Sequence, residues 1–188
     1  MRAVLTGPES TGKTELARIL ARALDAPLSD EYAREYAASH PALGPDDVEP
    51  IARGQIANED RARAEAEARR RPLVVHDTDL VSTVVYARHY YGDCPAWIVD
   101  AARARRADLY LLCAPDVPWA DDPVRDRPEA RDELFREFRE TLDALGVTVA
   151  EIRGSWAERD AAARAAVEAR VSTPRTRSGR TEGGLKED

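Results

Sequence analysis

GPESTGKT, residues 7–14, fits the pattern G-x-x-x-x-G-K-[ST] through Gly7, Gly12, Lys13 and Thr14. The apolar stretch AVLT (3–6) precedes it, and Leu16, Ile19, Leu20, Ala23 and Leu24 follow at helical spacing. Strand, glycine loop and helix in that order form a phosphate cradle. Successive backbone N–H groups wrap a β-phosphate, and the helix N-terminus adds its partial positive charge. Gly7, Pro8, Glu9, Ser10, Thr11, Gly12, Lys13, Thr14 and Glu15 are therefore expected along a bound nucleotide. Lys13 is expected on the β- and γ-oxygens, and the Thr14 hydroxyl on Mg²⁺.

Composition points the same way. Only Lys13 and Lys186 of the 28 basic residues are lysines, so arginine serves wherever a generic positive charge suffices. The one lysine kept in the body of the chain lies in the glycine loop. A compact ammonium fits between phosphates where a planar guanidinium does not. The 188 residues carry a net charge of −7, which argues against nucleic acid or an anionic membrane as partner. Cys94 and Cys113 form no CxxC pair and suggest neither metal nor disulfide. No apolar run approaches a membrane span and no signal-peptide core opens the chain, so a cytoplasmic protein is expected.

Strand-like and helix-like patterns alternate along the rest. APLSD (26–30), the β-branched run PLVVHD (72–77), LYLLCAP (109–115) and VTVAEI (147–152) read as strands. Helices are expected from Asp46 to about Arg70, over 80–92 with Gly92 as its stop, and around Trp97. Another carries Leu134, Phe135, Phe138, Leu142 and Leu145, and Ser155 with Glu158 forms a capping box opening the last. The pattern predicts an α/β fold of P-loop NTPase or nucleoside-kinase type: a central, mostly parallel five-stranded sheet with helices on both faces. Residues 1–171 form the expected P-loop kinase domain, and 172–188, without apolar period, a disordered tail.

An acid should complete the metal site from the end of a strand beside the first one. Asp77 stands there, with Asp79 two residues on; either could instead cap the next helix. A guanine-reading N-K-x-D is missing at "NEDR" (58–61), and D-T-D is not the D-E pair of the motor ATPases. A small-molecule kinase fits better, since it needs an acceptor pocket, a base and a water-excluding lid. Glu31, after the second strand, is the candidate base, with a helix N-terminal carboxylate as its other reading. The loop DVPWADDPVRDRPEAR (116–131) reads as a mobile lid whose Arg125, Arg127 or Arg131 reaches the transferring phosphoryl, unless they pair with Asp121, Asp122 and Asp126.

GPESTGKTELA, EYAREY, IARGQIANE (51–59), HDTDL, YYGDCPAW (90–97), LYLLCAPDVPWADDPVRDRPEAR and IRG with Arg159 together cover nearly all of residues 1–170. In these the chain resembles the ribosylnicotinamide kinase domain of NadR-type proteins, a P-loop kinase group. The resemblance implies ATP- and Mg²⁺-dependent phosphorylation of the ribose 5′-hydroxyl of nicotinamide riboside, yielding nicotinamide mononucleotide. Larger members of the group also carry an adenylyltransferase domain, for which these 188 residues have no room. A pyridinium acceptor calls for aromatic faces and carboxylates: Trp97 with Tyr90 or Tyr91 for the ring, Asp79 or Glu31 for the ribose, and Gln55 with Glu59 on the acceptor side unless 51–59 is a solvated helix face. Packing in the core is the competing reading of the aromatics. Trp156 and Arg159 are expected on the nucleotide side. Two alternatives stay open: a nucleotide-binding regulatory module, and a kinase for another nucleoside-like acceptor.

Overall fold

The computed structural model describes residues 1–40, 42–117 and 131–172. Trp119, Asp121, Asp122, Arg125, Asp126 and Arg127 of the expected lid lie outside the described residues, as does the tail beyond Ser172. Five strands form one parallel sheet: β1 (Arg2–Thr6), β2 (Leu28–Ser29), β3 (Val74–Asp77), β4 (Leu109–Cys113) and β5 (Val149–Ile152), in the order β2-β3-β1-β4-β5. The fold is the P-loop kinase-like one that the pattern implied, and all four strand pairings are parallel.

Burial on both faces explains the unbroken apolar strands. Along β1 and β4, successive residues feed opposite cores. Val4, Tyr110 and Leu112 pack with α4 (Leu80–Tyr91), α5 (Ala96–Ala104) and α6 (Arg131–Leu145). Ala3, Leu5, Leu109, Leu111 and Cys113 pack on the other face with α1 (Lys13–Ala23) and α7 (Trp156–Ser172). Strand alternation puts one residue in each core by turns, so a polar residue at any of these positions would leave a hole in one.

Two elements depart from the sequence reading. EYAREY forms a short helix, α2 (Tyr32–Ala37), which has too few turns to show a period. The second strand keeps only two of its five expected residues. The long helix α3 (Val48–Ala68) follows a 3₁₀ turn (Pro45–Asp47) and carries Pro50 in its first turn, where no intrahelical N–H is missed. The capping box holds as expected. The Glu158 carboxylate accepts the Ser155 N–H at 2.7 Å, and the Glu158 N–H reaches back to Ser155 Oγ at 3.4 Å.

The chain runs from β1 outward to β2, back to β3 beside β1, then across to β4 on the other side. The loops following β1 and β3 therefore open together at the carboxyl edge, where parallel α/β sheets place their ligands.

Candidate nucleotide and acceptor site

The glycine loop leaves β1 at Thr6 and enters α1 at Lys13. Two of its glycines are dictated by space. Gly7 has φ +127°, and a Cβ there would stand 2.6 Å from the Cys113 main-chain oxygen. Gly12 has φ +76°, and its Cβ would meet the Trp156 ring at 2.4 Å. Both values lie where only glycine sits without strain. Within the loop, the Pro8 carbonyl accepts from Thr11 Oγ1 at 2.9 Å and from the Lys13 ammonium at 2.6 Å. Lys13 is thus folded over the loop it belongs to, and buried. Thr14 follows it in the first turn of α1, whereas Glu15 is exposed and pairs with Arg22 at 3.8 Å.

Glu9 is the least expected member. A carboxylate in a phosphate loop opposes its ligand unless it points elsewhere, and this one is fully buried against α4. Tyr86 donates to it at 3.0 Å and Tyr90 at 3.4 Å. The two rings stack at 6.0 Å, one turn apart on α4. Tyr90 is therefore bonded to the loop, while Tyr91 is largely exposed. The i,i+4 spacing of Tyr86 and Tyr90 was the available signal, and its partner lay 77 residues away.

Arg159, in the first turn of α7, ties three segments to the loop with a side chain of 0% exposure. Its guanidinium donates to the carbonyls of Thr11 at 3.2 Å, Ala114 at 2.9 Å and Gly154 at 2.9 Å, and to the Asp116 carboxylate. Burial alone would raise the Asp116 pKa, but the Gly154 N–H and Arg159 together hold it below the usual carboxylate value. Trp156, half exposed, lays its indole on Gly12 beside this node. Arg131 opens α6, the first residue after the lid segment, and donates to the loop carbonyl of Ser10 at 3.3 Å and to that of Val117 at 3.2 Å.

Opposite the loop, β3 delivers its acids. Asp77 pairs with Leu5 in the β1–β3 register, two residues before Gly7, and is buried. Thr78 between the acids has φ +67°, an outlier for a β-branched residue. Its N–H is held by Leu5 O at 3.0 Å and its carbonyl by Gln55 Nε2 at 3.4 Å. Asp79 is the helix cap of the pair. One oxygen accepts the Val81 N–H at 3.0 Å, and the other accepts the Tyr110 hydroxyl at 2.7 Å.

Of the acceptor candidates, Trp97, Gln55 and the segment after Glu31 meet at three successive residues of α3. Arg53 lies over the Trp97 ring with its Cζ 4.6 Å from the centroid. A Cβ on Gly54 would fall 2.0 Å from the Tyr32 ring, so glycine is what lets α2 sit on α3. Gln55 accepts the Tyr32 N–H at 2.9 Å while donating to Thr78 O, which joins the Glu31 segment to the acid corner. Glu31 is buried just before α2 without making a side-chain cap, and pairs with Arg34 at 3.7 Å.

Beneath this wall lies a polar layer, and Glu59 belongs to it rather than to a solvated helix face. Glu59 is buried between Arg2 and Arg105, each at 3.0 Å. Arg2 also approaches His76 at 3.4 Å, and burial together with both arginines pushes that imidazole down to about 3, keeping it neutral. Burial first, then the Asp79 charge, pushes Glu59 up to about 7 from 4.5, against the pull of Arg2 and Arg105. Burial likewise raises Asp79. A carboxyl raised by folding adds stability that is complete below its unfolded value and is lost as pH climbs through the folded one. Urea titrations are therefore expected to show stability falling between pH 4.5 and 7. Glu59→Gln should flatten that fall; an unchanged slope would place its cause elsewhere.

Among the described residues, no group of three or more His, Cys, Asp or Glu side chains is arranged to hold a metal by itself. One hydroxyl (Thr14) and one carboxylate (Asp77) are hard oxygen donors, too few for a closed cage. They fit Mg²⁺, which keeps several waters and shares its shell with phosphates. No described helix is long and apolar enough to cross a membrane.

A family model described as "AAA domain" matches residues 2–159. The trifunctional NAD biosynthesis/regulator protein NadR of Escherichia coli (strain K12) is 29% identical over 145 residues, 73% of this chain and 33% of that protein. A crystal structure of NadR protein in complex with NR superposes with a TM-score of 0.71 at 27% identity, covering 92% of this chain and 50% of the other. A second, of NadR protein in complex with NAD and AMP-PNP, gives 0.73 at 28% identity with the same coverage. The resemblance read from the motifs is homology. The chain spans about a third of the curated relative and half of each solved chain.

Proposed function

The chain belongs to the AAA domain family, and we propose that within it the protein is an ATP-dependent nucleoside kinase that phosphorylates the ribose 5′-hydroxyl of nicotinamide riboside. The observation that carries this reading is the pair of hydrogen bonds by which Gln55 accepts from Tyr32 N–H and donates to Thr78 O. It holds the Glu31 segment and the Asp77–Asp79 corner as one wall facing the phosphate loop. A loop alone binds a nucleotide; a second wall with buried carboxylates beside it supports the binding of an acceptor as well. The two solved relatives are complexes with NR, and with NAD and AMP-PNP.

In this reading the loop amides and Lys13 hold the triphosphate, and Thr14 and Asp77 would hold Mg²⁺. Bound there, the ion would neutralise phosphate charge. Glu31 positions the acceptor hydroxyl and takes its proton; Asp79, whose two oxygens serve Val81 and Tyr110, supports the corner. Arg131, bonded to the loop at Ser10, is the described cation nearest the lid that can follow the phosphoryl, and Arg125 is proposed to join it. Trp156 carries the base and Arg159 shapes the loop beneath it. The lid's task is to exclude water, which would otherwise compete for the phosphoryl.

A panel of nucleosides with ATP and Mg²⁺ tests the acceptor. Turnover on nicotinamide riboside well above purine and pyrimidine nucleosides supports the proposal, and ATP binding with no acceptor-dependent turnover contradicts it. Trp97→Ala should raise the KM for nicotinamide riboside about tenfold, the scale of a lost cation–π contact, and leave that for ATP unchanged. An equal rise in both would make Trp97 a packing residue only.

A further inference from the structure

Glu9 places a fully buried carboxylate in a loop built to hold phosphates. Its two oxygens accept separately, one from the Tyr86 hydroxyl at 3.0 Å and the other from the Tyr90 hydroxyl at 3.4 Å. The two rings lie on one face of α4 with planes 5° apart, and Tyr86 also packs edge-on against Phe138 of α6 at 5.6 Å. One turn on, His89 of α4 pairs with Glu137 of α6 at 3.1 Å. Helix α6 returns to the loop at its own start, where Arg131 donates to the carbonyl of Ser10, the residue after Glu9. Loop, α4 and α6 thus form a closed circuit of contacts, and Glu9 is the loop's link in it.

Two phenols can be held by a neutral acceptor, so the charge of Glu9 calls for a separate account. Near a triphosphate that charge is repelled, and a water-poor site strengthens the repulsion. The cost is offset where the carboxylate faces a cation. Arg131 meets that need. It is buried, which lowers its pKa, and Glu9 comes first among the charges that raise it, ahead of Asp132 and Asp116. Resting on the kinase reading above, we propose that Glu9 is a positioning residue. Clamped by Tyr86 and Tyr90, its carboxylate is kept off the nucleotide phosphates and holds the Arg131 guanidinium at the loop for phosphoryl transfer. Glu9 acts through Arg131 and touches neither substrate.

A double-mutant cycle over Glu9→Gln and Arg131→Gln, read in kcat and in the Kd for ATP, tests this. Glutamine keeps an acceptor for the tyrosines and deletes the charge. Glu9→Gln should lower kcat about tenfold in the native chain, and by less than about twofold in the Arg131→Gln chain, where the cation it places is gone. ATP should bind Glu9→Gln no more weakly than the native chain, since a negative charge has left the loop. Glu9→Asp, which keeps the charge, should retain more of the kcat. Tyr86→Phe with Tyr90→Phe leaves the carboxylate charged and unclamped, so the Kd for ATP should rise about fivefold, and adding Glu9→Gln should reverse the rise. Equal kcat losses from Glu9→Gln in both backgrounds, or a Kd that the tyrosine pair leaves unmoved, overturn the inference while the kinase reading stands. A native chain without acceptor-dependent turnover overturns the kinase reading instead. The ATP affinities, measured with no acceptor present, then support or overturn the clamp by themselves. Urea midpoints identify any variant that has lost its fold.

Discussion

Lys13→Ala is expected to reduce turnover by about 10²–10³-fold or more while the protein stays folded. The ammonium is the compact charge inside the loop, and in the structure it bends back onto the Pro8 carbonyl. Its removal leaves that carbonyl still bonded to the Thr11 hydroxyl, so the loop keeps an internal tie. What is lost is the positive charge beside the phosphates in the transition state, where charge develops and water is scarce. The readout is therefore split: kcat collapses and the urea midpoint holds. Retained turnover would remove the loop from the chemistry, and a collapsed midpoint would make Lys13 a structural residue.

The second large effect is on stability. Arg159→Met keeps the bulk of the side chain and deletes the guanidinium. The buried carbonyls of Thr11 and Ala114 then lose a donor, as does the more exposed carbonyl of Gly154, and the partly exposed Asp116 carboxylate loses its cation. Leaving two buried carbonyls without a donor costs about 1–3 kcal/mol apiece, a large share of the ~5–15 kcal/mol that holds a domain together. Because the Thr11 carbonyl belongs to the phosphate loop, nucleotide affinity should weaken in parallel. A loss under about 1 kcal/mol with unchanged ATP affinity would show that Arg159 does not shape the loop.

These two residues also show how far the sequence alone could be read. The place of Lys13 was legible because it is set locally: the eight residues around it specify a loop between strand and helix, and the structure has that loop there. The same holds for the Ser155–Glu158 box and for the alternating strands, whose apolar runs require a sheet covered on both faces. Arg159 was legible as part of a motif, but its job was not, since its partners come from three segments lying up to 148 residues away. Glu9 looked like one more loop position until α4 supplied Tyr86 and Tyr90. Asp77 and Asp79 could not be told apart by spacing. Only the left-handed Thr78 between them sends one to the sheet edge and the other to the head of α4. Glu59 was singled out on α3, but its buried ion layer was not legible, because its cations come from Arg2 at the start of β1 and Arg105 just after α5.

The central claim is that the loop after β1 and the wall built on α3 act on one another through a transferred phosphoryl group. Phosphorus-31 NMR of the protein with ATP, Mg²⁺ and nicotinamide riboside follows that group directly. The account predicts that the γ-phosphate signal of ATP declines as a 5′-phosphomonoester signal grows in equal amount, and that neither changes when the riboside is left out. ATP loss giving inorganic phosphate at the same rate with and without the riboside would contradict it.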